Sequence, residues 1–260
     1  MEMKELTFSY QKGLNIIEQF TSSIHSKKVT TIIGPNGSGK STLLQLLSRN
    51  LKSKSGEVIL NGKQIQSYSS KDFAKKLAMV HQHNEAPYDM TVEKLVSYGR
   101  TPYKQLLSSN EEADQEAINW AIQCTNLTTK RQSTLEELSG GERQRAWIAM
   151  SLAQKTPILF LDEPTTYLDL YHQLEILELV KQLNQKHGIT IVMVLHDMNQ
   201  AIRYSDHIMV MKQGKKVMEG TPSGVITREM IQEVYGVEAQ VIVDQTYGLH
   251  VLPVALPSNI

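Results

Sequence analysis

The chain has 260 residues, 40% of them apolar, which is room for one large domain or two small ones around a sizeable core. Its 27 basic residues balance 27 acidic ones, so no overall basic excess exists to drive sequence-independent nucleic-acid binding. One cysteine, Cys124, excludes an intramolecular disulfide framework and reads as a small buried hydrophobe, and no apolar stretch approaches the roughly 18 residues that span a bilayer.

The chain opens MEMKELTFSY, without a basic segment followed by an apolar one, so no signal peptide is expected. Short apolar, β-branched runs then punctuate it at 29–33, 57–60, 158–161, 189–195 and 207–211. These predict strands, those at 158–161 and 189–195 buried and parallel. A helical pattern at 41–51 follows the first run. Another at 174–187 repeats apolar residues at Leu174, Leu177, Val180 and Leu183 until Gly188 stops it. Residues 92–154 lack strand signals and are rich in helix formers. There Ser109, followed by Glu112, predicts a capping box for a helix running to Cys124. The tail, 221–260, predicts a short helix at 226–235 and two strand-like runs around a turn at 244–248. It carries no evident chemistry. Strands alternating with helices predict an α/β fold with a mostly parallel core sheet and an inserted helical subdomain.

The segment Gly34-Pro35-Asn36-Gly37-Ser38-Gly39-Lys40-Ser41 fits the P-loop pattern, with a β run before it and an apolar helix after it. A triphosphate needs many donors at close range. Glycines at 34, 37 and 39 let successive backbone N–H groups point inward, and the following helix adds its positive end. Lys40 supplies a mobile charge to the phosphates and Ser41 a hydroxyl to Mg²⁺. With the adjoining Thr42, this block is the candidate ATP site. A Gly-rich turn without function is the bland alternative, and the strand, the helix and the GKS ending speak against it.

The run at 158–161 delivers Asp162 and Glu163 at its carboxyl end, where ligands of open α/β sheets sit. Asp162 can hold Mg²⁺ directly or through water, and Glu163 can orient and deprotonate a water. The run at 189–195 likewise ends at His196, which brings an imidazole to the same edge and predicts a γ-phosphate contact. Methionines 193, 198, 209, 211 and 218 could be taken for a soft-metal cluster, but three of them lie in or beside apolar runs, which predicts core packing.

Leu138-Ser139-Gly140-Gly141-Glu142 precedes Asp162 by about twenty residues. Together with Lys40, Asp162-Glu163 and His196, it resembles the ABC ATPase family from Tyr10 to at least Gly220. The resemblance implies a P-loop, RecA-like fold with N-terminal antiparallel strands, ATP and Mg²⁺ as cofactors, and several residue roles. Tyr10 would stack on adenine. Gln82 would touch Mg²⁺ and the attacking water and sense the transporter; its neighbours His81 and His83 read as loop residues rather than a metal pair. Ser139, Gly140, Gly141 and Glu142 would meet the ATP of the opposite subunit through a helix starting after the two glycines. Asp169 would cross the dimer interface. Glu142 stands where glutamine is commoner. The wording 163–176, EPTTYLDLYHQLEI, is similar to the subfamily that powers iron–siderophore, haem and vitamin B12 uptake, and within it to iron(III)–hydroxamate and siderophore ATPases.

The resemblance therefore implies the ATP-hydrolysing subunit of an importer. It would work as a homodimer, peripheral on the cytoplasmic face of the membrane, with a permease docked near residues 84–100 (Asn84 to Arg100) and a solute-binding protein engaged indirectly. The expected organisation is a nucleotide-binding domain over 1–220, with core 1–83 and 156–220 and a helical subdomain at about 84–155, and an extension over 221–260. Three other readings compete. A nucleic-acid-associated ABC ATPase usually carries a second nucleotide domain or a long coiled coil, and no sustained heptad occurs here. A P-loop kinase has no use for 138–142. A docking module that binds ATP without turnover has no need of Glu163 and His196.

Overall fold

A computed structural model describes residues 1–11, 13–104 and 110–256. Its strands are β1 Glu2–Phe8, β2 Ile17–Ser23, β3 Val29–Ile33, β4 Ser55–Leu60, β5 Lys63–Gln64, β6 Leu77–Val80, β7 Ile158–Leu161, β8 Thr190–Val194, β9 His207–Lys212, β10 Lys215–Gly220, β11 Glu238–Asp244 and β12 Gly248–Ala255. Its α-helices are α1 Lys40–Leu47, α2 Ser70–Ala74, α3 Val92–Ser97, α4 Glu111–Cys124, α5 Gly140–Ala153, α6 Leu170–His187, α7 Met198–Tyr204, α8 Pro222–Val225 and α9 Arg228–Tyr235. These elements gather into two units, Met1–Ile65 with Val192–Ile260, and Gln66–Ile191.

In the first unit an antiparallel sheet runs in the order β2-β1-β4-β5. It buries Met3, Leu6, Phe8, Ile17 and Phe20. The strict alternation expected of such a face is broken in β1, where the register shifts around Glu5 at φ 50°. Three more strands of this unit run β10-β9-β3, with β3 parallel to β9 and β9 antiparallel to β10. All five residues of β3 are buried. Each large aliphatic side chain buried there contributes about 1.5–3 kcal/mol, against about 1 kcal/mol net for one ladder hydrogen bond, so packing decides where β3 lies. Just past β8, the Leu195 N–H donates to the Ile32 carbonyl (3.3 Å), which brings the carboxyl ends of β8 and β3 together. The tail forms the predicted helix and hairpin. Asp244 closes the turn by accepting from the Thr246 and Tyr247 N–H groups, and Asn199 of α7 makes two hydrogen bonds with Val251 of β12.

In the second unit β6 lies parallel to β7, and the Thr190 N–H at the start of β8 donates to the Pro157 carbonyl. The helical insert packs Leu95 and Val96 of α3, Ile118 and Ile122 of α4, and Ile148 and Leu152 of α5 into an apolar interior. Arg100 is buried among them with its charge satisfied, bonding Asp114 (2.7 Å) and the Ala153 carbonyl (2.7 Å). The cap of α4 is Asn110, whose side chain accepts from the Ala113 N–H; Ser109 lies outside the described residues. Helix α1 stops at Leu47, short of the predicted 51. Cys124 is half-buried rather than enclosed, with Sγ 3.8 Å from His187 Nε2, and burial raises its thiol above the ordinary range. Met193, Met209 and Met211 are buried as core. The parallel core strands, the N-terminal antiparallel strands and the helical insert make the α/β class read from the sequence.

Candidate nucleotide site

The buried strand β3 ends directly in Gly34, whose main chain is pressed against β9. A Cβ at Gly34 would lie 2.1 Å from the Met211 carbonyl oxygen, so only glycine fits. The Gly34 N–H donates to the phenol oxygen of Tyr235 at the end of α9, and burial pushes that phenol well above its usual range. Beyond Gly34 the loop turns into α1. Gly39, at its N-cap, offers no side-chain hydrogen bond, and no acidic residue sits in the first turn. A helix start with no side-chain cap and no acid nearby presents its positive end to an anion. Lys40 Nζ folds back to donate to the carbonyls of Gly34 (2.9 Å) and Pro35 (3.1 Å). The Ser38 hydroxyl is buried and has no hydrogen-bond partner among the described residues. An orphaned polar atom beside an uncapped helix start fits a phosphate-binding loop.

Tyr10 lies past β1 with most of its ring exposed. It meets Phe8 edge-on at 4.9 Å, and its hydroxyl is 3.4 Å from Thr42 Oγ1. His196 is exposed, two residues beyond β8, at the carboxyl end shared with β3. Asp197 next to it caps α7 by accepting from the Gln200 N–H. Tyr10, 34–42 and His196 all belong to the first unit.

The second unit carries the other candidates. The Asp162 N–H donates to the Val80 carbonyl (3.0 Å), so the carboxyl ends of β6 and β7 lie side by side. This explains a contact between residues 81 positions apart: Gln82 Nε2 donates to Glu163 Oε2 (2.6 Å). The Thr166 hydroxyl donates to the same oxygen (3.2 Å). Glu163 sits at φ 50°, a left-handed backbone that few non-glycine residues adopt and that recurs at working sites. Asp162 is 4% exposed.

Helix α5 begins at the two glycines rather than after them, because Ser139 caps it. Ser139 Oγ accepts from the Glu142 N–H (3.2 Å), and the Glu142 carboxylate accepts from the Ser139 N–H (2.8 Å). That second bond holds the Glu142 carboxyl below the usual carboxylate range, with Lys130 nearby assisting. Asp169 caps α6 by accepting from the His172 N–H (2.9 Å). Alongside, a groove of about 380 Å³ opens between the Gln82–Glu85 segment, α5 and the loop at 166–168, with Asn84, Arg143, Trp147 and Tyr167 in its walls.

Known proteins match this arrangement. The ABC transporter family model covers residues 17–166. The chain belongs to the ABC transporter family. The petrobactin import ATP-binding protein FpuC of Bacillus anthracis is 50% identical over 221 residues, 84% of this chain and 81% of that one. The ferric enterobactin transport ATP-binding protein FepC of Escherichia coli strain K12 is 44% identical, covering 94% and 90%. Among solved structures, cbiO1 of Clostridium perfringens matches with a TM-score of 0.78 at 29% identity, covering 89% and 92%. The dimeric bacterial ABC transporter cassette MJ0796 matches with a TM-score of 0.74 at 28% identity, covering 85% and 98%.

As an ABC ATPase, the chain binds ATP and hydrolyses it. Two contacts at this ABC site escape the sequence motifs: Tyr235 against Gly34, and His172, whose ring lies against Gly141. Both depend on tertiary packing, and no local spacing announces them.

Proposed function

We propose that this chain is the ATPase of an iron–siderophore importer. In this reading Gly34–Ser41 and Thr42 cradle the triphosphate, Tyr10 stacks on the adenine, and His196 meets the γ-phosphate. Glu163 is the base that takes a proton from the attacking water. The hydrogen bond from Gln82 carries the reading, because together with the Thr166 hydroxyl it holds one Glu163 carboxyl oxygen in place and so orients the carboxyl group for that proton. Ser41, Asp162 and Gln82 offer only oxygen donors, the set a hard divalent cation prefers, and they would hold Mg²⁺. When bound, Mg²⁺ would neutralise phosphate charge as it builds.

A second copy of the chain would present Ser139–Gly141 to this ATP and Asp169 to the interface. The exposed Gly140 at the start of α5 supports this, since it puts no side chain between an approaching anion and the positive helix end. Glu142 serves that end by shaping it through the capping box. ATP then bridges two copies, and hydrolysis removes the bridge. Closure is a population shift set by ATP's preference for the closed pair. The groove bordered by Gln82 and Asn84 is our candidate seat for the permease, at the amino-terminal part of 84–100. A permease pressing there would act on Gln82 and, through it, on Glu163. Among the described residues no helix is long and apolar enough to cross a membrane, so attachment would come through that permease. A solute-binding protein would deliver cargo to the permease without touching this chain. We take 1–220 as the nucleotide-binding domain, about 84–155 as its helical subdomain and 221–260 as its extension.

The siderophore assignment draws on the names of the petrobactin and enterobactin relatives. Uptake of radiolabelled iron–siderophore in cells lacking this gene tests it. We expect uptake to fall to background, to return with the wild-type gene and not with Glu163→Gln. Undiminished iron uptake alongside lost haem or vitamin B12 uptake would transfer the chain to another chelate. Phosphate release by the purified chain tests the ATPase separately.

A further inference from the structure

Gly141 invites a question about why its position excludes a side chain. A Cβ there would lie 2.1 Å from His172 Cδ2 and 2.6 Å from Cγ. The imidazole thus occupies the space a side chain at 141 would take. His172 Nδ1 is also 2.8 Å from Asp169 Oδ1. Asp169 accepts the His172 N–H as well, and these bonds hold its carboxyl below the usual range. An ionised carboxylate only accepts, so the Nδ1 facing it carries the proton. One side chain therefore packs its Cγ–Cδ2 side against the buried Gly141 of α5 and meets the exposed Asp169 through Nδ1; Asp169 is 67% exposed and His172 26%. Three to four residues further along each helix, Arg145 of α5 pairs with Glu175 of α6 (2.6 Å), a second tie between the same helices.

We propose that His172 is a positioning residue for ATP hydrolysis: it fixes the Asp169 loop to the Gly140–Gly141 end of α5, so that the two groups a partner copy's nucleotide site would meet are presented as one rigid unit. The inference rests on the reading that Ser139–Gly141 and Asp169 face the second copy. Binding of ATP by one copy would not need this tie. Closing two copies into a competent pair would, because a misplacement of about 1 Å costs on the order of 100-fold in rate.

Steady-state ATPase kinetics of the full chain, with melting temperature and fluorescent-nucleotide binding measured in parallel, test this. His172→Ala should lower kcat about tenfold while KM for ATP and nucleotide affinity stay within twofold. His172→Asn places an N–H near the lost Nδ1 position and should recover at least half of wild-type kcat. Asp169→Ala with His172→Ala should be no slower than the worse single variant, because both remove the same bond. A purely structural histidine would lower the melting temperature without this split between kcat and KM. A His172→Asn enzyme as slow as His172→Ala, or a double variant with multiplied losses, overturns the proposal. Ser139→Ala separates the two layers. If it is slow while His172→Ala runs at the wild-type rate, only this inference fails; if it too runs at the wild-type rate, the reading of the 139–141 segment fails.

Discussion

Two helix starts are proposed to meet ATP, and they are finished in opposite ways. Helix α1 begins at Gly39 with no side-chain cap, no acid in its first turn and a neighbouring buried hydroxyl, that of Ser38, that has no partner among the described residues. Helix α5 begins at Ser139 with a complete capping box, and a histidine packed against its second residue. A buried hydroxyl beside an uncapped helix start favours a ligand that can bond to it, so in the proposed function the first start is completed by nucleotide. The second is completed by its own chain, so it holds its shape before any nucleotide reaches it. In the proposed function the first unit grips, and the second is prepared in advance for the reaction.

That division can be broken most severely at Glu163. Glu163→Gln should slow phosphate release by about 10²–10⁴-fold, the usual worth of a general base, while equilibrium ATP binding stays within a few-fold. An equal loss of affinity would mean the second unit also grips. Lys40→Ala is the converse. Losing a charge-assisted contact of about 1.5–3 kcal/mol should weaken ATP binding roughly 10- to 100-fold. It should also remove most of the ATP-induced rise in melting temperature, since saturating ligand at 100 times Kd adds about 2.7 kcal/mol to a wild-type chain. Persistence of that rise in the variant would show that the nucleotide is held elsewhere. Tyr10→Ala should have a smaller effect, about 2- to 10-fold in affinity and little in kcat, as expected for the loss of one stacking ring. A change in kcat instead would assign Tyr10 to catalysis.

The smallest effect sharpens the comparison through pH. The folded-state pKa of Glu142 is depressed, so the capping carboxylate adds stability above its unfolded value near 4.3. That contribution fades as pH falls from there through the folded value. Glu142→Gln keeps an acceptor without the charge. Its melting temperature should therefore depend less on pH than the wild type's between about pH 5 and 3, with little difference at neutrality. Identical profiles would mean that the box does not depend on the charge.

Much of this was legible in the residues, and the exceptions share a cause. Strands β3, β7, β8 and β9 are buried almost throughout, so their apolar runs are continuous and easy to see. Strand β6, Leu77-Ala-Met-Val80, is as long as β7 but has no β-branched or aromatic residue before Val80 and so does not stand out, and β10, with Lys215, Lys216 and Glu219, reads as polar because most of it is not buried. The phosphate loop, the acids after β7 and the 138–142 segment are legible because their chemistry is local. Ser109 reads as the α4 cap by spacing, yet Asn110 does that work, since two capping residues in succession leave the choice to backbone geometry. The Gln82–Glu163 bond required β6 to lie beside β7, and nothing near either residue announces it. His172 and Tyr235 are hidden for the same reason.

Tyr235 has a practical bearing on anyone shortening the chain. The tail seemed free of chemistry, yet its phenol receives the N–H of the first phosphate-loop glycine. A stop codon placed anywhere upstream of position 235 takes away that brace, and such a shortened protein should release nucleotide faster than the full chain. A cut just after position 236 spares the brace while discarding the hairpin, which makes those two truncations a direct assay of what the tail contributes.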